Sequence, residues 1–227
     1  LSDTADARKE ALNKLLPIQK NDFKDIFKTM APRPVTVRLL DPPLHEFLPT
    51  EQQLIDDIAN LKQLQSTSQG MVSLITSLRM MNRDLTQLGS PFDETGADMV
   101  TEVIAKKEQM LHKVRELFEV NPMLGHRGVR LGLTYPEIYD MQIRAIFEAS
   151  AECIKEGADI RPEVMIPQVC TAHELMKVRK SIDEIKADVE QKTGVDLSLV
   201  KFGTMIEVVR ACMRASELAK VADFFSF

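Results

Sequence analysis

A short β-branched apolar run that ends in opposite charges and then meets two prolines leaves a chain few ways to fold. Val35-Thr36-Val37-Arg38-Leu39-Leu40-Asp41 has this form, with Pro42 and Pro43 directly behind it. The β-branched start predicts a buried strand over Val35–Leu40, and the prolines end it. Arg38 and Asp41 lie near its C-terminal end, where an ion-capable pair is costly to bury unless it is satisfied or put to use. Lys201–Glu207 (KFGTMIE) repeats the plan with one carboxylate closing an apolar strand. A parallel α/β barrel with its active site at the C-terminal ends of its strands has this pattern.

The rest of the chain alternates in the same sense. Ala5–Met30 reads as a helix interrupted by Pro17. Gly128–Leu131 reads as a short strand, and Tyr135–Glu156 as a helix with Pro136 in its first turn, where a missing N–H costs little. Val164–Val169 is the next strand, followed by an amphipathic helix over His173–Thr193 that Gly194 closes. A strand over Val200–Val208, a helix over Arg214–Ala222 and a strand opening at Phe224 complete the series. Strands alternating with helices predict parallel βα units.

Thr50–Phe118 differs, with almost no strand signal. Leu54, Ile58 and Leu61 form one apolar series. Met71, Leu74, Ile75, Leu78 and Met81 form a second, and Val100, Val103, Ile104, Leu111, Val114, Leu117 and Phe118 a third. Spacings of three and four predict helices, with a loop at Gly89-Ser90-Pro91 and Gly96.

Composition excludes several classes. The chain has 227 residues, 44% hydrophobic and 28% charged, ordinary for one large domain or one domain with an insertion. A net charge of -5 speaks against nucleic acid as a partner. No apolar run nears the ~20 residues that span a bilayer, and Leu1–Lys9 is too polar for a signal peptide. Cys153, Cys170 and Cys212 are widely spaced and odd in number, which predicts reduced, mostly buried thiols. His45, His112, His126 and His173 lack metal-ligand spacing. With aromatics at 5% and no Trp, the core falls to Leu, Ile, Val and the 12 Met, Met80 and Met81 among them.

Three strings, VTVRLLDPPLHEFLP at Val35–Pro49, NPMLGHRGVRLGLTYPE at Asn121–Glu137 and KFGTMIE at Lys201–Glu207, resemble the phosphoenolpyruvate-binding barrel of the pyruvate, phosphate dikinase family. The resemblance covers Ala11–Pro49 and Asn121–Phe227. Gln63–Gly96 has no counterpart and reads as an insertion of one family branch. The fold implied is α/β: residues 1–49 and 121–227 form a partial TIM (β/α)8 barrel lacking its first and last strands, and 50–120 form a mostly helical insertion. The function implied is that of a Mg²⁺-dependent phosphotransferase. It interconverts ATP, phosphate and pyruvate with AMP, pyrophosphate and phosphoenolpyruvate through a phosphohistidine.

Candidate site residues follow. Arg38 carries a planar fork of donors suited to phosphate and carboxylate oxygens. The residues alone leave open an ion pair with Asp41 or Glu46; the resemblance implies a contact with the substrate phosphate. Arg127, between Gly125 and Gly128, is either solvated beside a tight turn or, as the resemblance implies, a second anion-binding arginine. Arg130, three residues on, faces away if the segment is a strand. His126 is expected to pack or hydrogen-bond rather than catalyse. Glu207 is either salt-bridged to Arg210 or, as the resemblance implies, a ligand to Mg²⁺ and substrate, since hard cations take oxygen ligands. The family has proline where this chain has Val209, which affects the turn after Glu207. Cys212 does not match the family's proton-donating cysteine.

The resemblance also places parts outside this chain: a first barrel strand with another arginine upstream, and a second magnesium carboxylate and the catalytic cysteine downstream. The nucleotide-binding and phosphohistidine domains are expected upstream as partners. The isolated chain is then inactive. Unpaired strand edges predict self-association, and a homodimer is expected in an intracellular setting, cytoplasmic or organellar. Two other readings are a phosphoenolpyruvate synthase-like barrel, against which DPPLHEFLP argues, and a non-catalytic dimerisation or scaffold module built on the helical insert.

Overall fold

A computed structural model describes residues 4–43, 46, 48–81, 94–117 and 125–227. The chain divides into two compact units, Leu1–Pro43 with Asn121–Phe227, and Leu44–Val120.

The first unit is α/β. Four strands, β1 (Pro34–Arg38), β2 (Arg161–Ile166), β3 (Lys201–Met205) and β4 (Phe224–Ser226), pair in sequence order. Every pairing is parallel, with Val37 opposite Val164, Val164 opposite Phe202 and Gly203 opposite Phe224. All four strands therefore end on one side. Pro162, Val164 and Ile166 of β2 are buried in alternation, so one sheet face turns into the core. That core is completed by Phe27 of helix α1 (Ala5–Met30), by Ile143, Ile146 and Phe147 of α5 (Pro136–Lys155), and by Leu175, Val178 and Ile182 of α6 (Ala172–Thr193). Thr171 caps α6 through a reciprocal box with Glu174, and Gly194 closes it in the left-handed region at φ 69°. Of the helix expected over Arg214–Ala222, only the short α8 (Ala215–Leu218) forms, and a second short helix, α7 (Val209–Met213), precedes it.

Two expectations fail here. Gly128–Leu131 is not a strand: Val129–Thr134 forms a short helix, α4. β1 and β2 already pair along their length, so a strand there has no ladder to join, and a short apolar run cannot be told from a buried helix turn by pattern. Pro17 does not interrupt α1, which runs unbroken for 26 residues. The hydrogen bond that Pro17 removes is outweighed by the contacts α1 makes along α5. Phe23 and Phe27 stack there with their ring centroids 6.1 Å apart, and an ionic ladder runs beside them. Lys20 meets Glu152 at 2.9 Å, Lys24 meets Glu152 at 2.7 Å and Glu156 at 2.8 Å, and Lys28 pairs with Glu156.

The second unit is a pair of helices, α2 (Glu51–Met81) and α3 (Glu94–Leu117). At 31 residues α2 is about 46 Å long. Lys62 pairs with Glu108 at 2.6 Å, Lys107 with Asp57 at 2.6 Å and Arg115 with Glu51 at 2.7 Å, which sets the helices antiparallel. Leu54, Ile58, Ile104 and Val114 are buried, whereas Met71 and Leu74 of the second series are exposed. Gly96 lies inside α3, and Gly89–Pro91 fall outside the described residues, as do the side chains of Met80 and Met81. Among the described residues Met141 is the one buried methionine; Phe27, Phe147 and Phe202 carry the bulk assigned to methionine.

The ladder makes the α1–α5 seam sensitive to acid. Hydrogen bonds from Lys24 and Lys20 hold the Glu152 carboxyl down to about 2. A carboxyl whose folded pKa lies below its unfolded one, about 4.3, stabilises the fold above the unfolded value and loses that contribution as pH falls toward the folded one. We expect the melting temperature of the wild-type chain to fall more steeply than that of Glu152→Gln between the ordinary glutamate range and about pH 2, the two converging at the acid end. Parallel profiles are the contrary outcome.

Candidate functional site

Leu39–Asp41 leaves the sheet at the end of β1, where four of its backbone groups have partners. Leu39 N–H donates to Met165 O at 3.0 Å, continuing the ladder. Leu40 N–H donates to the Gln142 side-chain oxygen at 2.9 Å, and Leu40 O accepts from the Tyr139 hydroxyl at 3.1 Å. Burial pushes the Tyr139 phenol well above its usual range, so it stays protonated and donates. Asp41 O accepts from Gly128 N–H at 3.3 Å and from Arg127 Nε at 3.2 Å. Two side chains of α5 and the loop before α4 thus fix the exit of β1.

On this frame two guanidiniums meet one carboxylate. Arg38, the last residue of β1, donates through Nη2 to Asp41 Oδ2. Arg127 donates to the same oxygen through Nη2 at 2.7 Å, and through Nε to Oδ1 at 3.3 Å. Asp41 is buried, at 5% exposure. Arg38 therefore does form the ion pair the residues allowed, but in company with Arg127, so that two guanidiniums share one carboxylate.

Arg130 departs from expectation because α4 is a helix. It turns back to the loop, donating to Gly125 O at 2.9 Å and to Cys170 Sγ at 3.6 Å. His126 hydrogen-bonds Thr134 Oγ1 at 2.9 Å and lies tilted against Tyr135, a packing role.

Glu207 follows β3, and its Oε1 accepts from Gln168 N–H at 2.7 Å. Among the described residues it has no ion pair with Arg210, and nothing bonds its second oxygen. Gln168 ends the β2 segment at φ 62°, a left-handed angle that a non-glycine rarely adopts, and its buried Oε1 has no partner among the described residues. Val129 N–H donates to Pro167 O at 3.1 Å. The ends of β1, α4, β2 and β3 are therefore stitched into one rim. Val209 opens α7 at the first helical position, where proline is also accommodated, so the departure from the family leaves this start unchanged. Cys212 is exposed in α7, contrary to a mostly buried set, while Cys153 is buried and Cys170 half-buried.

No group of three or more His, Cys, Asp or Glu converges on a metal position among the described residues. The donor set suits a shared site instead. Magnesium takes one or two carboxylates and completes its shell with substrate oxygens and water. Glu207 offers one free carboxylate oxygen, and the orphaned amide oxygen of Gln168 sits on the residue that holds it.

A family model described as PEP-utilising enzyme, PEP-binding domain, matches residues 3–227. The chain belongs to this family. It is 46% identical over 228 residues to a pyruvate, phosphate dikinase of Entamoeba histolytica, covering all of this chain and 22% of that protein. The enzyme of the same name from Clostridium symbiosum is 42% identical over all of this chain and 21% of its own length. A chloroplastic one from Flaveria trinervia is 39% identical over 99% of this chain and 19% of its own. The chain spans about a fifth of the length of these curated relatives.

In this PEP-binding domain Arg38, Arg127 and Glu207 all lie on the rim where the strands end. Sequence reasoning missed what organises them: Asp41 as a common acceptor, Tyr139 and Gln142 as clamps, and Gln168 as the support of Glu207. The Arg38–Asp41 spacing was the one available signal. Among the described residues no helix is long and apolar enough to cross a membrane.

Gly128 is the tightest point of the rim. Its φ is 58°, and a Cβ there would stand 2.7 Å from Gln168 Cβ and 3.0 Å from Pro167 O. Gly128→Ala is expected to lower stability by roughly 1–3 kcal/mol through overpacking and a strained angle, read as a drop in melting temperature. An unchanged melt is the opposing result.

Proposed function

We propose that this chain is the phosphoenolpyruvate- and pyruvate-binding part of a pyruvate, phosphate dikinase, a Mg²⁺-dependent transferase. The observation that carries the reading is the convergence of Arg38 and Arg127 on Asp41 at the same sheet end as Glu207. Residues 1–49 and 121–227 are read as part of a (β/α)8 barrel lacking its first and last strands, and 50–120 as a helical insertion in it.

In this reading Arg38 and Arg127 bind the phosphoryl oxygens through charge-assisted hydrogen bonds. They oppose the charge that develops when the phosphoryl group passes to a histidine of another domain and pyruvate enolate is left behind. Glu207, held by Gln168 N–H, orients its free oxygen toward the same ligand and would hold Mg²⁺ there. The ion, when bound, supplies Lewis-acid neutralisation of phosphate and enolate oxygens. The complete enzyme couples this half-reaction to ATP and phosphate through its nucleotide-binding and phosphohistidine domains, and works as an intracellular homodimer. The isolated chain binds but does not turn over.

A second reading, an assembly module, draws on the exposed Leu64, Met71, Leu74, Val103 and Met110 of α2 and α3. It predicts that rim substitutions change nothing.

Titration calorimetry with phosphoenolpyruvate separates the two. Binding is expected to be lost in Arg38→Ala and Arg127→Ala, and Glu207→Gln is expected to remove its strengthening by Mg²⁺ while leaving metal-free binding. Phosphoenolpyruvate affinity indifferent to Arg38→Ala overturns the substrate-binding reading.

A further inference from the structure

We infer that Asp41 is a positioning residue for the bound oxyanion: a buried carboxylate that gathers the guanidiniums of Arg38 and Arg127 onto one oxygen. The inference deepens the proposed function, resting on it for the identity of the ligand, and concerns a residue that carries no ligand contact of its own.

Left to themselves, two guanidiniums side by side repel and swing apart, because each sits on a long stem with several rotatable bonds. Asp41 prevents this. Its Oδ2 accepts Nη2 of both arginines, and Oδ1 and the main-chain oxygen accept Arg127 Nε at 3.3 and 3.2 Å. Arg127 is thus tied from three acceptor atoms, and its side chain is 19% exposed. Arg38 is tied by one donor, and its side chain is 41% exposed. Asp41 itself cannot move far. Its main-chain oxygen is taken by Gly128 N–H, the preceding residue is clamped by Gln142 and Tyr139, and Pro42 follows it.

A guanidinium has five N–H donors, and Asp41 uses only part of each set. Among the described residues no acceptor meets Nη1 of either Arg38 or Arg127. Two guanidinium charges less one carboxylate charge leave one net positive charge, presented by forks already brought together. A phosphoryl group, with its higher charge and three acceptor oxygens, then meets a converged pair and spends little of its binding energy on ordering side chains.

Positioning and simple charge balance predict opposite signs. If Asp41 were only a counter-charge, removing it would make the rim more positive and anion binding tighter. If it positions the arginines, removing it weakens binding despite the added positive charge. The test uses the 227-residue chain and inorganic phosphate as probe, with affinity followed by NMR titration and folding by thermal melts. Asp41→Asn is expected to bind phosphate about tenfold more weakly, the scale of a modest misplacement. Asp41→Glu keeps the charge but shifts the carboxylate by one methylene, and is expected to weaken binding as well while keeping a near-wild-type melt. In an Arg38→Ala background, Asp41→Asn is expected to cost less than it does in the wild-type chain, because Asp41 then has only Arg127 left to hold.

Tighter phosphate binding by Asp41→Asn, wild-type affinity in Asp41→Glu, or a full additional loss in the Arg38→Ala background each overturns the inference. So does a wild-type chain that binds no phosphate. A wild-type chain that binds phosphate but not phosphoenolpyruvate discards the substrate reading and leaves the three variant outcomes to decide the role of Asp41.

Discussion

Parallel pairing of β1, β2, β3 and β4 is the constraint from which the rest of the first unit follows. Parallel strands end together, so side chains just past the last ladder bond share one rim however far apart they lie in sequence. Residues 38, 127, 168 and 207 come from four separate segments, and no local interaction would assemble them. One sheet face is committed to α1, α5 and α6 through Val164, Ile166 and Phe202, and that burial anchors the strands whose ends form the rim.

The same ion-pair chemistry is used twice with different results. Along the α1–α5 seam, lysines and glutamates pair at the surface, with Glu152 and Glu156 each accepting from two lysines. Such pairs add register and a modest, screened stabilisation. At the rim, one carboxylate is buried and two arginines converge on it. Burial makes that cluster sensitive to the loss of a partner, because the charge left behind is poorly solvated. The seam tolerates imperfect geometry; the rim does not.

The strands other than Gly128–Leu131 and most of the helices were legible in the sequence because hydrophobic period is a local signal, whereas Arg38, Arg127 and Glu207 were singled out by their resemblance to family motifs. The failures share one cause. Whether Gly128–Leu131 forms a strand or a helix turn depends on whether a neighbouring strand has a free edge, which is tertiary information. Pro17 is tolerated because α5 lies alongside α1, and Met71 and Leu74 stay exposed although their spacing suits a buried stripe. Arg130 turned toward Gly125 and Cys170 once its segment became helical. The roles of Asp41 and Gln168 were hidden for a related reason: each acts on a residue brought near only by the fold.

Gly128 shows how closely the rim is coupled. It gives its N–H to Asp41 O, and the space its missing Cβ leaves is filled by Gln168. Gln168, through its own N–H, holds Glu207. The arginine pair and the carboxylate are therefore not independent groups that happen to share a sheet end. A shift at Gly128 moves the loop bearing Arg127 on one side and presses the support of Glu207 on the other. Because packed interiors have little free volume to absorb such a shift, spacing between the cationic and anionic halves of the rim is set by one glycine at a left-handed angle. Under the proposed function, in which both halves meet the oxygens of one small ligand, this coupling means that an error at either half cannot be corrected by moving the other alone.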